Sequence, residues 1–129
     1  MNLSTFERVL SKQAAKFRRD FSNVGPEDTK VKVMDDFIVV KYIAHYTKPE
    51  LFHHQVMRDH PEQAVYNTFL EQLASFIKAD FSKEIPELLP GTGIEVEEVM
   101  TRYFSEDCSS QIILIRTNKN IELLFDNSN

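Results

Sequence analysis

Residues 29–45, TKVKVMDDFIVVKYIAH, decide the fold, because they carry the pattern of two β-strands joined by a two-residue turn. β-Branched and aromatic residues, which favour strands, dominate both arms. We expect the first strand over residues 29–34 and the second over residues 37–45. Asp35 and Asp36 then form the turn, where aspartate tolerates unusual backbone angles better than most residues.

The two-residue turn also predicts which residues face each other across this hairpin. It pairs Val33 with Ile38, and because side chains alternate between the two faces, one face becomes apolar. The predicted apolar face consists of Val31, Val33, Ile38, Val40 and Tyr42. The opposite face is mixed, with Lys30, Lys32 and Lys41 beside Phe37, Val39 and Ile43. The apolar part of that second face predicts a cover, for example a partner subunit.

Helical patterns flank the hairpin on both sides. Apolar residues recur at three- and four-residue steps over residues 5–22, and Ser4 and Glu7 have the spacing of a capping box. A second helical region begins near residue 48, where Thr47 and Glu50 repeat that spacing. Pro61 predicts a kink or a division into two helices, and a broad apolar stripe continues the helix to about residue 89.

A second hairpin is predicted from residues 94–104 and 111–117, with a β-bulge at Glu97 and Glu98, where the alternation of apolar residues changes phase. Residues 121–125 suggest a short fifth strand, in an extension that begins at Asn118. The order helix-β-β-helix-β-β predicts one α+β domain over residues 1–129. It has an antiparallel sheet of four or five strands, with helices packed on one face. The exposed sheet edges and the mixed sheet face predict a homodimer.

Composition limits the function classes. The chain has 20 acidic and 15 basic residues, a net charge of −5, which disfavours nucleic acid as a partner. Its longest apolar runs, 37–40 and 112–115, are far shorter than the roughly 20 residues that cross a bilayer, so no direct membrane insertion is expected. No signal-peptide pattern is present, and a single cysteine allows no internal disulfide. These features predict a cytoplasmic protein.

Three histidines, His53, His54 and His60, are the strongest candidates for metal chemistry. His53 and His60 would share a helix face, and Asp59 or Glu50 would add an oxygen ligand. Zinc requires three or four converging ligands, and neither an HExxH nor a CxxC motif is present. A solvated polar end of a helix is the favoured interpretation, so no metal is expected.

The other candidates also have simpler structural explanations. Cys108 follows Glu106 and Asp107, whose charges oppose thiolate formation. The glycine-rich segment 91–93 lacks a complete phosphate-binding motif and fits a helix-to-strand turn. Adjacent carboxylates on a strand, such as Glu97 and Glu98, should point to opposite faces. Residues 16, 18 and 19, which are basic, complement the negative end of the first helix. We therefore assign no catalytic, cofactor-binding or metal-binding residue and expect no cofactor and no enzyme activity.

Several segments together resemble a small bacterial family named after MpsC. The segments are the turn NVGP at 23–26, the hairpin VKVMDDFIVV at 31–40, the helix start YTKPE at 46–50, the strand start GIEV at 93–96 and the apolar strand 112–115. The resemblance covers about residues 5–117. It implies a part in a sodium-translocating, membrane-potential-generating system, also connected with inorganic-carbon uptake, and supplies no catalytic residues.

Three functions follow as hypotheses. The first is a non-enzymatic accessory or regulatory protein that acts from the cytoplasm on a membrane cation or bicarbonate transport system, and it rests on the resemblance. The alternative is a small-ligand sensor with a pocket between the sheet and the helix of residues 65–81, which is rich in large aromatic side chains. A metal-dependent enzyme using His53, His54 and His60 is the third.

Overall fold

The structure of the protein, a computed structural model, describes residues 1–22, 26, 28–43, 48–59, 62–104 and 109–126. The elements in chain order are α1 (Leu3–Ser22), β1 (Asp28–Met34), β2 (Phe37–Ile43), α2 (Lys48–Arg58), α3 (Gln63–Leu88), β3 (Val96–Phe104), β4 (Ser110–Thr117) and α4 (Ile121–Asp126). Thr47, His60, Pro61 and Cys108 lie outside the described residues, so the structure does not address the predictions made for Thr47, His60 and Cys108. The predicted division into two helices is confirmed, since α2 ends at Arg58 and α3 begins at Gln63.

Four antiparallel strands form one sheet in the order β1-β2-β4-β3. The first hairpin has the predicted register, in which Val33 faces Ile38 and Val31 faces Val40. Asp35 adopts a φ of 56°, a left-handed conformation that aspartate tolerates in tight turns. The α+β class and the helix-β-β-helix-β-β order are therefore confirmed.

The core lies between one face of the sheet and the helices. Odd-numbered residues of β4 and even-numbered residues of β2 point into it, and Ile38, Val40, Ile113 and Ile115 are completely buried. α1 contributes residues at three- and four-residue spacing, and α3 covers the other half of the sheet. The core side chains from the helices, together with Leu89, which directly follows α3, are Phe6, Leu10, Ala14, Leu73, Ile77, Phe81, Ile85, Leu89, Ile121 and Phe125.

The fifth strand predicted at residues 121–125 is wrong, since this segment forms the short helix α4. Asn120 accepts a hydrogen bond at Oδ1 from Leu123 N–H (3.2 Å), which is the arrangement of a helix N-cap. Ile121 and Phe125, four residues apart, both enter the core. The N-cap asparagine followed by helical apolar spacing was the available signal.

The start of α1 also differs from the prediction. The helix begins at Leu3 instead of residue 5, because Asn2 Oδ1 accepts a hydrogen bond from Thr5 N–H (2.8 Å) and caps it. Glu7, assigned to a capping box with Ser4, reaches β1 instead and accepts from Val33 N–H (2.8 Å). The predicted bulge in β3 is confirmed as a register shift between Val96 and Glu98.

Candidate functional site

The described histidines of α2 pack against aromatic rings. The His54 ring lies 4.7 Å from the Tyr103 ring and 6.1 Å from the Phe69 ring, centroid to centroid, and the His53 ring lies 6.4 Å from Phe69. Within the described part of the chain, no three histidine, cysteine, aspartate or glutamate side chains are grouped so that they could hold a metal ion. The described geometry thus places His53 and His54 in a contact between α2, α3 and β3.

Residues 91–93 form the predicted helix-to-strand turn. Gly91 and Gly93 adopt φ angles of 78° and 72°, a region that strongly favours glycine. Thr92 Oγ1 donates to Leu89 O (2.6 Å) and accepts from Ile94 N–H (3.3 Å). A Cβ atom at Gly93 would lie 3.2 Å from Lys119 Nζ, so Gly93 also makes room for a lysine that crosses the turn.

Glu97 and Glu98 converge on one arginine, contrary to the expectation that they point to opposite faces. Arg116 Nη2 lies 2.8 Å from Glu98 Oε1 and 3.3 Å from Glu97 Oε2. The bulge between Val96 and Glu98 breaks the strand alternation and turns both carboxylates toward β4. The hydrogen bond to Glu98, followed by its charge, raises the pKa of Arg116 above its ordinary value.

The basic residues at the end of α1 do not form one anion site. Lys16 and Arg19 are exposed, whereas Arg18 is buried and lines a void of about 10 Å³ with Tyr42 and Gln111. Such a void is close to the smallest space that holds one water molecule. This void between the sheet and the middle of α3 is therefore too small for a ligand larger than water.

Three hydrogen bonds of buried side chains stabilise this layer. Tyr42 Oη donates to Ala14 O (2.5 Å), which ties β2 to α1. Gln111 Nε2 donates to Thr101 Oγ1 (2.9 Å), and Thr101 Oγ1 donates to Ile112 O (3.0 Å). Burial raises the pKa of Tyr42 far above its ordinary value, so the phenol stays neutral and keeps its role as a donor. These hydrogen bonds have a structural role, and we assign no reaction to the residues that form them.

A polar hollow between α1 and α3 contains Asp80, whose Oδ2 is buried and has no hydrogen-bond partner among the described residues. Burial raises the pKa of Asp80 above 3.8, and a hydrogen bond with Gln13 and the charges of Lys16 and Lys83 oppose this shift. The folded chain therefore binds more protons than the unfolded chain between pH 3.8 and the folded pKa. Its stability falls as the pH rises through that window.

We expect Asp80→Asn to raise the melting temperature at neutral pH, because it removes a partly desolvated charge. The gain should shrink to nothing below the unfolded pKa of 3.8, where both forms carry a neutral side chain. Thermal unfolding at a series of pH values measures this. Glu95→Gln, the same change at an exposed position, is the matched control. An unchanged or lower melting temperature for Asp80→Asn alone would contradict the assignment.

The sheet face opposite the helices, which we call the open face, has a mixed apolar and charged character. It carries the even-numbered residues of β1 and β4, the even-numbered residues of β3 from Glu98 onward, and the odd-numbered residues of β2. Its half-buried apolar residues are Phe37, Val39, Ile43, Ile112 and Leu114, and its exposed ones are Met34, Met100 and Phe104. Hydrophobic side chains grouped on a surface in this way are typical of a contact site for another molecule.

Charge distinguishes the open face from the rest of this acidic chain. It bears five basic residues, Lys30, Lys32, Lys41, Arg102 and Arg116, against three acidic residues, Asp28, Glu98 and Glu97, whose carboxylate lies against Arg116. The chain as a whole has a net charge of −5. Sequence alternation predicted the face from β1 and β2, but the contributions of β3 and β4 depend on the strand order.

A groove of about 530 Å³ runs along the free edge of β3, between that strand and α3. Its α3 side consists of Leu70, Glu71, Ala74, Ser75 and Lys78, and its β3 side of residues 97–102. A pocket was expected between the sheet and the long helix. The groove lies between these two elements, but at the edge of the sheet instead of over its centre.

Comparison with known proteins identifies a family. A family model described as "Na+-translocating membrane potential-generating system (MpsC)" matches residues 3–115, which is most of the chain. No curated protein and no solved structure gives a significant match. None of the described helices is long and apolar enough to cross a membrane.

Proposed function

The chain belongs to the MpsC family, and from this membership we propose that it is a non-catalytic accessory or regulatory protein of a membrane cation or bicarbonate transport system. The family description supports involvement in a Na+-translocating system that generates membrane potential. The accessory role, its non-catalytic nature and the action from the cytoplasm are our proposal.

The observation that carries the proposal beyond the family is the open face. A transport protein that uses an accessory chain must offer it a contact surface, and apolar residues with a charged rim are the usual composition of such contacts. The basic residues of the open face favour a partner surface with acidic groups. Some of the side chains considered as chemical candidates have structural contacts, since His54 packs against Tyr103, and Glu97 and Glu98 pair with Arg116, which supports an accessory role.

Site-specific photo-crosslinking in cells tests this proposal. A photo-reactive amino acid replaces Val39 at the centre of the open face, and the matched control carries it at Leu123, an exposed residue of α4. We expect a crosslink to an integral membrane protein from position 39 and none from position 123. Crosslinking of position 39 to no membrane protein would contradict the proposal.

The alternative function is a small-ligand sensor. One observation favours it: the groove between α3 and β3 has a volume within the range of small-molecule sites. A thermal-shift screen of metabolites and nucleotides tests it, because a ligand that binds the folded chain raises the melting temperature. A stabilising ligand whose effect disappears in Ala74→Trp, which would fill the groove, is the expected result for a sensor.

A further inference from the structure

The two edges of the sheet differ in how side chains cover their outward backbone groups. This difference indicates which edge meets another chain. At the β1 edge, side chains of α1 occupy two of the outward backbone groups: Glu7 Oε2 accepts from Val33 N–H (2.8 Å), and Ser11 Oγ donates to Thr29 O (3.0 Å). The same strand presents Lys30 and Lys32 on the open face. Lysines on an edge strand oppose pairing with another strand.

The β3 edge has backbone groups that point away from the sheet. Thr117 N–H donates to Asp36 O (2.9 Å), which places the odd-numbered backbone groups of β4 toward β2 and the even-numbered ones toward β3. The even-numbered residues of β3 from Glu98 onward pair with the even-numbered residues of β4, so their backbone groups face β4. The N–H and C=O groups of Val99 and Thr101 therefore face outward, and Arg102 Nη1 donates to Thr101 O (2.7 Å) there.

We propose that a second copy of this chain pairs with this edge, β3 against β3 in antiparallel fashion, with the twofold axis at Met100. In this register Val99 faces Thr101 of the second copy, so their outward N–H and C=O groups satisfy each other. On the open face, Glu98 lies opposite Arg102 of the second copy, and the symmetry repeats this pair. Opposite charges directly across a strand pair stabilise it, so the edge is complementary to itself.

The proposed pairing exchanges contacts that the single chain already makes. Arg102 gives up its bond to Thr101 O, because that carbonyl accepts from Val99 N–H of the second copy, and its guanidinium then reaches Glu98. Glu98 can accept from this arginine while it still accepts from Arg116 (2.8 Å), since a carboxylate has several acceptor sites.

The side chains of α3 beside this edge are also arranged so that they can pair with those of a second copy about a twofold axis. Glu71, Ala74, Ser75 and Lys78 have the i, i+3, i+4, i+7 spacing of one helix stripe, and all four line the groove beside β3. An antiparallel α3 pair centred between Ala74 and Ser75 places Glu71 opposite Lys78 of the second copy. The two small central residues permit close approach of the helices. The charge pattern of α3 is thus complementary to itself under a twofold axis, as the pattern of β3 is.

The dimer would have an eight-stranded sheet with its two open faces side by side. Its surface for a membrane partner would therefore be twice as wide, and the groove between α3 and β3 would lie at the interface of the two copies. The inference stands independently of the proposed function, because it is tested on the purified chain alone.

Sedimentation equilibrium with charge-reversed variants is the first test. We expect the wild type to have twice the 15.0 kDa mass of one chain at micromolar concentration. Glu71→Lys and Lys78→Glu should each raise the dissociation constant at least about fivefold, because like charges then meet across the axis. The double variant should recover to within about threefold of wild type, since the pairs are restored with reversed signs. A monomeric wild type, or a double variant no better than the single ones, overturns the proposal.

Disulfide trapping is the second test, in a Cys108→Ser background. Met100→Cys places two sulfurs at a pair of residues whose Cα atoms lie about 4.5 Å apart in such a ladder, within disulfide range. The matched control, Met34→Cys, has a similarly exposed methionine on the opposite edge strand and the same open face. Rapid formation of a covalent dimer by Met100→Cys alone is expected. Equal trapping of both variants, or trapping of Met34→Cys alone, would place the contact elsewhere.

Discussion

Replacing Ile113 by alanine lowers the free energy of unfolding by about 3–4 kcal/mol, the cost expected for a large-to-small change in a packed core. Ile113 is completely buried in the middle strand β4, where it faces Val40 and Thr101. This loss is a large part of the roughly 5–15 kcal/mol that stabilises a domain of this size. Urea unfolding followed by circular dichroism measures it.

The neighbouring residue provides the control. Leu114 follows Ile113 on the same strand but lies half-buried on the open face, between Val39 and Met100. Leu114→Ala should cost less than about 1.5 kcal/mol, because much of the side chain is already in contact with solvent. Equal losses at the two positions would mean that the second sheet face is covered within the chain, contrary to the structure.

The second large effect is expected from Leu114→Asp, which puts a negative charge at the centre of the apolar part of the open face. The free chain should still fold, since this side chain remains in contact with water. Binding to the membrane partner should weaken at least about tenfold, because burial of one unpaired charge costs more than about 1.4 kcal/mol. Co-purification of the membrane partner with the tagged chain, at matched expression, measures this loss.

Leu123→Asp serves as the matched control for this variant. Leu123 is 55% exposed on α4, away from the open face, so the same change there should leave partner binding unaffected. Equal binding by wild type and Leu114→Asp would exclude the open face as the contact surface. Equal loss for both variants would indicate a general effect of added negative charge.

Local sequence signals were sufficient for most of the fold. A two-residue turn between alternating arms fixes the register of β1 and β2, because a shift by one residue would expose the whole apolar face. The shift in apolar phase at Glu97 and Glu98 located the bulge, although its effect on the two carboxylates depends on Arg116 of another strand. α4 was missed because six residues with several apolar side chains are compatible with a helix or a strand.

The candidate surfaces needed the tertiary arrangement. Alternation in β1 and β2 predicted a mixed second face, but its extent depends on β4 lying between β2 and β3. The difference between the two sheet edges depends on Glu7 and Ser11 of α1 reaching β1, and these residues have no sequence pattern that points to an edge strand. The match of charges across β3 becomes visible only once β3 is known to be an edge.

The most direct test of the account is the Na+-dependent membrane potential of cells that lack this chain. We predict that the potential generated on addition of Na+ falls when the chain is deleted and returns when the wild-type chain is supplied. The same deletion complemented with Leu114→Asp should stay at the reduced level. An unchanged Na+-dependent potential after deletion would contradict a part for this chain in the transport system.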